Sequence, residues 1–296
     1  RGVFRFPVKL LRILLMLVFG FLSSYCGVRY VQKHAADIKP SAGKTAEPLI
    51  AIAFTAPIAV LYLLFSAIQI VYLFIGNMQL PAGVTYAEYA RRGFFQLLFV
   101  CVLNLAAVLF IQSYFKENRV LKALLLAISG CTLIMTASSA CRMLLYIRAY
   151  QLTFLRVSVL VALAVIALLM AGVIAKIVKP QFPLFRYGFV LVGAVYLVFS
   201  FSHVDYFIAA YNLTHTSWEA SGEETVDYSY LYTLSTDAAP AIEKYAGKSG
   251  AADYRKQGWY QLYCEANEEA LNETGLRTYN VSHAVAKQLL MEDNRE

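Results

Sequence analysis

Long apolar runs joined by short basic links constrain this chain more than any other feature. Most of the runs reach 20 or more residues. At about 1.5 Å per residue, a helix of that length crosses a hydrocarbon layer of about 30 Å. Backbone groups left unpaired in that layer are costly, so only helices and closed barrels span it. Barrel strands would alternate apolar and polar positions over about ten residues, and these runs do not. The chain therefore reads as an all-α polytopic membrane protein. Six spans are predicted, at about 8–28, 49–75, 94–115, 120–145, 155–177 and 187–201. Residues 1–204 form the predicted bundle, and residues 205–296 a small, mainly helical tail, soluble or lying against the membrane.

Composition agrees with this reading. The 296 residues are 59% hydrophobic and 15% charged, with a mean hydropathy of +0.55. Soluble domains run nearer half apolar and a quarter charged. The net charge of +7 divides sharply along the chain. Residues 1–204 hold 19 Lys or Arg against 4 Asp or Glu, whereas residues 205–296 hold 7 against 15. Because the basic part is broken by apolar runs, its charge reads as topology-setting rather than nucleic-acid-binding. Links 1–2, 3–4 and 5–6 carry four, three and three bases, and links 2–3 and 4–5 carry two each. The base-rich links are predicted to be cytoplasmic, which puts the acidic tail on the extracytoplasmic side. The four N-terminal bases Arg1, Arg5, Lys9 and Arg12 oppose that orientation. Arg1 is not an initiating residue, so a longer gene product with further spans upstream is expected.

The stretch Thr85-Tyr-Ala-Glu88-Tyr-Ala-Arg91-Arg92-Gly-Phe-Phe-Gln96-Leu97 leads into the third span. Thr85 and Glu88 have the spacing of a capping box, and Glu88 can pair with Arg91 or Arg92 one turn on. Structural pairing and headgroup contact are the plainer reading, and a relay or ligand clamp the functional one. The fourth span turns small and polar at Ser129-Gly-Cys131 and Thr136-Ala-Ser-Ser-Ala-Cys141, first a packing face and second a permeation lining. Arg142 follows about twenty apolar or small residues, and a base at membrane depth marks an interior site unless it snorkels out. Tyr146 and Tyr150 recur with it every four residues, and Arg156 opens the next span. His203 and Asp205, two apart at the end of the last span, could join Glu88 in a polar site.

In the tail, Val226, Tyr228, Tyr230, Tyr232 and Leu234 alternate with polar or small positions. They predict a short strand or an extended segment at the bilayer edge. Helices are predicted to about Tyr245, over 251–272 and over 280–291, with Trp259, Tyr260, Leu262, Tyr263 and Leu271 as packing residues. Asn212-Leu-Thr, Asn272-Glu-Thr and Asn280-Val-Ser match the glycan acceptor pattern. The five Cys are scattered singly, so neither a disulfide framework nor a zinc site is indicated. No nucleophile elbow, metalloprotease motif or dinucleotide fingerprint occurs, so no catalytic residue, cofactor or metal ligand is assigned.

Three segments carry a family resemblance. The Thr85–Leu97 stretch, then Arg142, Tyr146, Ala149-Tyr150, Leu152-Thr153 and Arg156, then Asp205-Tyr-Phe-Ile-Ala-Ala-Tyr-Asn212, resemble the DUF4153/DUF4173 group of bacterial multi-pass membrane proteins. The resemblance covers roughly residues 49–245. It implies an integral membrane protein of unknown function, commonly with more spans upstream, and supplies no reaction. Gln96 and Ala210 depart from the group's pattern, where an acid and a base are expected.

Three functions follow as expectations. A sensor, scaffold or partner subunit would be tightly packed, with headgroup-level charges and a tail that docks a protein. A transporter or channel would hold Glu88 and Arg142 in a cavity between spans 3, 4 and 6. An enzyme acting on a lipid or cell-envelope substrate would bring His203, Asp205 or Glu88 together at a lateral opening. Membrane lipids are the expected partners in each case, and a homo-oligomer is compatible with all three.

Overall fold

The structure, a computed structural model, describes residues 22, 25, 29, 46–74, 86–215, 228–246, 257–272 and 280–292; the side chains of 72–74, 86–94, 269–270 and 291–292 are outside that description. Nearly all of the first predicted span, the Thr85 cap and the Glu88 ion pairs therefore lie outside the described residues. Among the described residues five helices are long and apolar enough to cross a membrane. They are α1 (Pro48–Phe74), α2 (Tyr86–Tyr114), α3 (Arg119–Tyr150), α4 (Phe154–Val178) and α5 (Leu184–Phe201). These are the second to sixth predicted spans.

The bundle is built on α3, which packs against α1, α2 and α4. Asn118 starts α3 by accepting the Val120 N–H at 2.8 Å, satisfying one of the amides a helix start leaves unpaired. With 32 residues, α3 is about 48 Å long and overshoots a hydrocarbon core of about 30 Å. The sequence puts the end of the apolar run at Leu145, but the helix continues to Tyr150. Arg142, Tyr146 and Tyr150 therefore share one face near its end. The small polar positions of α3 do pack inward: Ser129, Thr132, Thr136, Ser138 and Ser139 are all buried.

Helix α5 is held differently. None of its residues is buried, and its packing is against α4. Gly172 of α4 is what allows that approach, because a Cβ there would strike the Tyr187 ring. The Tyr187 hydroxyl donates to the Leu168 carbonyl at 2.9 Å, and Phe154 meets Phe199 near the other end.

After α5 the chain turns through His203, whose φ of 47° is left-handed, a conformation unfavourable for a residue with a Cβ. Helix α6 (Val204–Thr214) follows, then α7 (Tyr228–Leu231), a 3₁₀ turn (Thr236–Ala238), α8 (Ala239–Tyr245), α9 (Gly258–Asn272) and α10 (Val281–Lys287), which runs into a π turn (Gln288–Glu292). Their core gathers Ile208, Leu231, Ile242, Tyr263, Ala286 and Leu290. Of the predicted packing residues, Trp259, Tyr260, Tyr263 and Leu271 are buried, whereas Leu262 is 48% exposed.

The predicted strand at 226–234 is corrected. Residues 228–231 form a helical turn, and the described residues contain no strand that could pair with them. A lone strand would leave its backbone groups unsatisfied. The turn satisfies its own, with Thr233 N–H donating to the Tyr230 carbonyl and Leu234 N–H to that of Leu231. The alternating tyrosines serve other ends: Tyr228 stacks on Trp259 with 5.2 Å between centroids, and the Tyr230 hydroxyl accepts the Phe154 N–H at 2.9 Å.

Tyr263 sits at the centre of this core, its hydroxyl donating to the Ser235 carbonyl at 2.9 Å. Burial pushes its phenol well above the ordinary value of 10.0. The unfolded phenol loses its proton near pH 10 while the folded one keeps it, so the folded state then binds more protons. Its contribution is present in full below about pH 10 and is lost as pH rises beyond that. Alkaline titration followed by near-ultraviolet circular dichroism should show the tail loosening above that pH. Tyr263→Phe should cost about 1 kcal/mol at neutral pH through the lost hydrogen bond, yet show a shallower alkaline decline.

Candidate functional site

Two polar zones lie between the middle of the bundle and the end that carries the tail. The first is a buried seam where α1, α2 and α3 meet. The Tyr62 hydroxyl donates to Asn104 Oδ1 at 2.8 Å, and Asn104 Nδ2 donates to Thr132 Oγ1 at 3.0 Å. Further along, Thr136 Oγ1 donates to Cys101 Sγ at 3.3 Å. Gln69 Oε1 then accepts from Ser138 Oγ at 2.7 Å and from Arg142 Nη2 at 3.1 Å. Every helix contributes at helical spacing: Tyr62 and Gln69, Cys101 and Asn104, Thr132 and Thr136. Polar groups surrounded by lipid need such partners, each worth about 0.6–2 kcal/mol. Ser66, Ser129 and Ser139 bury hydroxyls that have no partner among the described residues.

The second zone is a clasp at the α3–α4 turn. Gln151 takes φ 63° and ψ −176°, a region nearly reserved for glycine and costing roughly 1–3 kcal/mol. Its side chain offsets the strain by donating to the carbonyls of Asn212 and His215 at 3.4 and 3.0 Å. Asn212 of α6 reciprocates with both halves of its amide. Its Oδ1 accepts the Leu152 N–H at 2.8 Å, and its Nδ2 donates to the Leu152 carbonyl at 2.9 Å. Arg156 closes the end of α3. Its Nη1 donates to the Tyr150 carbonyl at 2.5 Å and also to the Gln151 carbonyl, where a cation complements the negative helix end. The guanidinium carbon lies 4.3 Å from the Tyr146 ring centre, and Tyr146 meets Tyr150 with centroids 5.1 Å apart.

Asp205 and His203 join the clasp to the rest of the tail. Asp205 Oδ2 accepts from the Ser235 N–H at 3.1 Å and the Ser235 hydroxyl at 2.6 Å. His203 Nδ1 lies 3.4 Å from Asp237 Oδ2. Asp205 and His203 thus serve separate partners at the start of the 3₁₀ turn. Asn267 Nδ2 reinforces the segment by donating to the Leu234 carbonyl at 3.2 Å.

The residues singled out from sequence therefore divide. Tyr146, Tyr150 and Arg156 form one cluster, His203 and Asp205 anchor the tail, and Arg142 belongs to the seam. The backbone places Glu88, Arg91 and Arg92 in the first turns of α2, at the same end of the bundle as Arg142; their side chains lie outside the description. No group of three or more His, Cys, Asp or Glu that could hold a metal occurs among the described residues. The clasp offers hydrogen bonds and a cation–π contact rather than a nucleophile with a base. Sequence reading missed Gln69, Asn104 and Gln151. The first two were visible as isolated amides inside apolar runs, whereas nothing in the sequence flags the Gln151 backbone. Asn212 was noted as a glycan acceptor, but it is 1% exposed with its amide engaged, so it cannot carry a glycan in this fold.

Asn212→Ala should leave the Leu152 N–H and carbonyl unpaired, at a cost of roughly 2–4 kcal/mol. Hydrogen exchange should then quicken across residues 204–215 and 228–246. Asn212→Asp keeps the acceptor and should fall between. Unchanged exchange in Asn212→Ala would show that the clasp does not hold the tail.

Comparison with curated proteins gave no match, and neither did comparison with solved structures. Residues 3–245 match the family described as Domain of unknown function (DUF4153). That span takes in all three resembling segments and extends well before residue 49. With five apolar helices long enough to cross a bilayer, the chain is a bacterial multi-pass membrane protein, and it belongs to the DUF4153 family.

Proposed function

We propose that this protein is a sensor or scaffold subunit of the bacterial cell envelope. In this reading residues 1–204 are an anchor and residues 205–296 a partner-facing tail on the extracytoplasmic side. One observation carries it: polar residues at the tail end of the bundle are engaged in holding the tail. Asn212 and Gln151 tie α6 to the α3–α4 turn, Asp205 and His203 tie it to the 3₁₀ turn, and Arg156 caps α3. A rigid mount suits a tail that must present one surface. The acidic balance of that tail, 7 bases against 15 acids, favours a basic partner surface.

A second reading, transport, draws support from Arg142 and the unpartnered hydroxyls of the seam. One paired experiment separates the two. A photo-crosslinking residue at Leu262, exposed on the tail, should yield a discrete protein adduct in native membranes. The same residue at Phe185, 88% exposed on α5, should yield lipid adducts alone. Absence of any protein adduct from Leu262, together with solute flux in proteoliposomes that Arg142→Gln abolishes, would favour transport and reject the scaffold.

A further inference from the structure

A crevice of about 1580 Å³ lies between α2 and α3 on one side and α4 and α5 on the other. It is at the opposite end of the bundle from the tail, with the α2–α3 and α4–α5 links at its mouth. Its depth is apolar, formed by residues such as Leu125, Leu169, Val173 and Val192. Ligand pockets for drug-sized molecules run about 300–1,000 Å³, so this space is larger. Water gains no hydrogen bonds against such walls, and α5, with no buried residue, leaves the crevice bordered by a helix that lipid can reach. Hydrocarbon chains are the filling that the environment supplies.

The mouth has the opposite character. Lys116, Arg119, Lys122, Lys176 and Arg186 line it, with Glu117 as the one acid among its lining residues. Lys116 is paired with Glu47 at 2.8 Å, and Lys176 donates to the Pro180 carbonyl. The side chains of Arg119, Lys122 and Arg186 have no hydrogen bond or ion pair among the described residues. Two of them stand in the first turn of α3, where a helix start adds partial positive charge. An apolar slot beneath a cluster of cations matches an amphiphile with hydrocarbon chains and an anionic head.

We infer that this crevice is a binding site for an anionic phospholipid, with its acyl chains between α2/α3 and α4/α5 and its phosphate at Arg119, Lys122 and Arg186. The inference is independent of any role for the tail. The orientation predicted from the links would put the site in the cytoplasmic leaflet, where anionic headgroups and juxtamembrane bases attract.

Native mass spectrometry of the full chain, released from nanodiscs of equal phosphatidylglycerol and phosphatidylethanolamine, reads this directly. The unsubstituted chain should retain phosphatidylglycerol preferentially. The triple variant Arg119→Gln, Lys122→Gln, Arg186→Gln should reduce that preference at least about tenfold. A Cβ at Gly193, which lines the crevice, meets nothing within 4 Å. Gly193→Phe, its folding checked by circular dichroism, should reduce retention of both lipids by occupying the slot. Soluble glycerol phosphate should not displace the bound lipid, since it lacks the chains. Equal retention of the two lipids, or retention unchanged in both variants, would overturn the inference, as would displacement by glycerol phosphate alone.

Discussion

A single side-chain amide, that of Asn212, decides how the two parts of this protein meet. The α3–α4 turn must reverse the chain at the membrane surface, and it does so through a strained Gln151. That geometry exposes the Leu152 N–H and carbonyl in a place where α6 covers them. Asn212 answers both groups at 2.8 and 2.9 Å, which no apolar residue could do. Arg156 then neutralises the carbonyl end of α3 from the start of α4. The turn, the helix end and the tail are thus satisfied by one another's polar groups.

The membrane explains the rest of the architecture. Each long helix pairs its own backbone, so the bundle is free to be organised by side-chain contacts. Where α1, α2 and α3 meet, those contacts are polar, through Tyr62, Asn104, Thr132, Gln69 and Arg142. Where α5 joins, they are few and aromatic, centred on Tyr187 against Gly172. Among the described residues, the bundle is therefore tightly joined at α1–α3 and loosely joined at α5. The polar seam runs from the middle of the bundle toward the clasp, and the apolar crevice opens at the far end.

Much of this fold was legible in the residues, because lipid imposes a simple rule on span length. Each of the five long described helices overlaps one predicted apolar run, although α2 begins at Tyr86, well before the run at about 94. Helix α3 outran its prediction because charge at Arg142 and Arg148 marks where apolar character ends, not where hydrogen bonding ends. The strand near Tyr230 failed for a different reason: alternation alone cannot create a partner strand. The clasp was only half legible. Its residues were noted separately, Arg156 at a turn and Asn212 in a motif, but their meeting depends on a backbone reversal with no local signature. Tyr150, Leu152 and Arg156 from one family-like segment and Asn212 from another meet at this one junction. The junction gives those segments a shared structural purpose.

Double electron–electron resonance between spin labels at Arg148 and Leu262, in lipid nanodiscs, tests the rigid mount most directly. A single narrow distance distribution is expected if the clasp fixes the tail on the bundle. A broad or bimodal distribution in the unsubstituted chain would contradict it, and with it the view that the polar residues at this end serve to hold the tail in place.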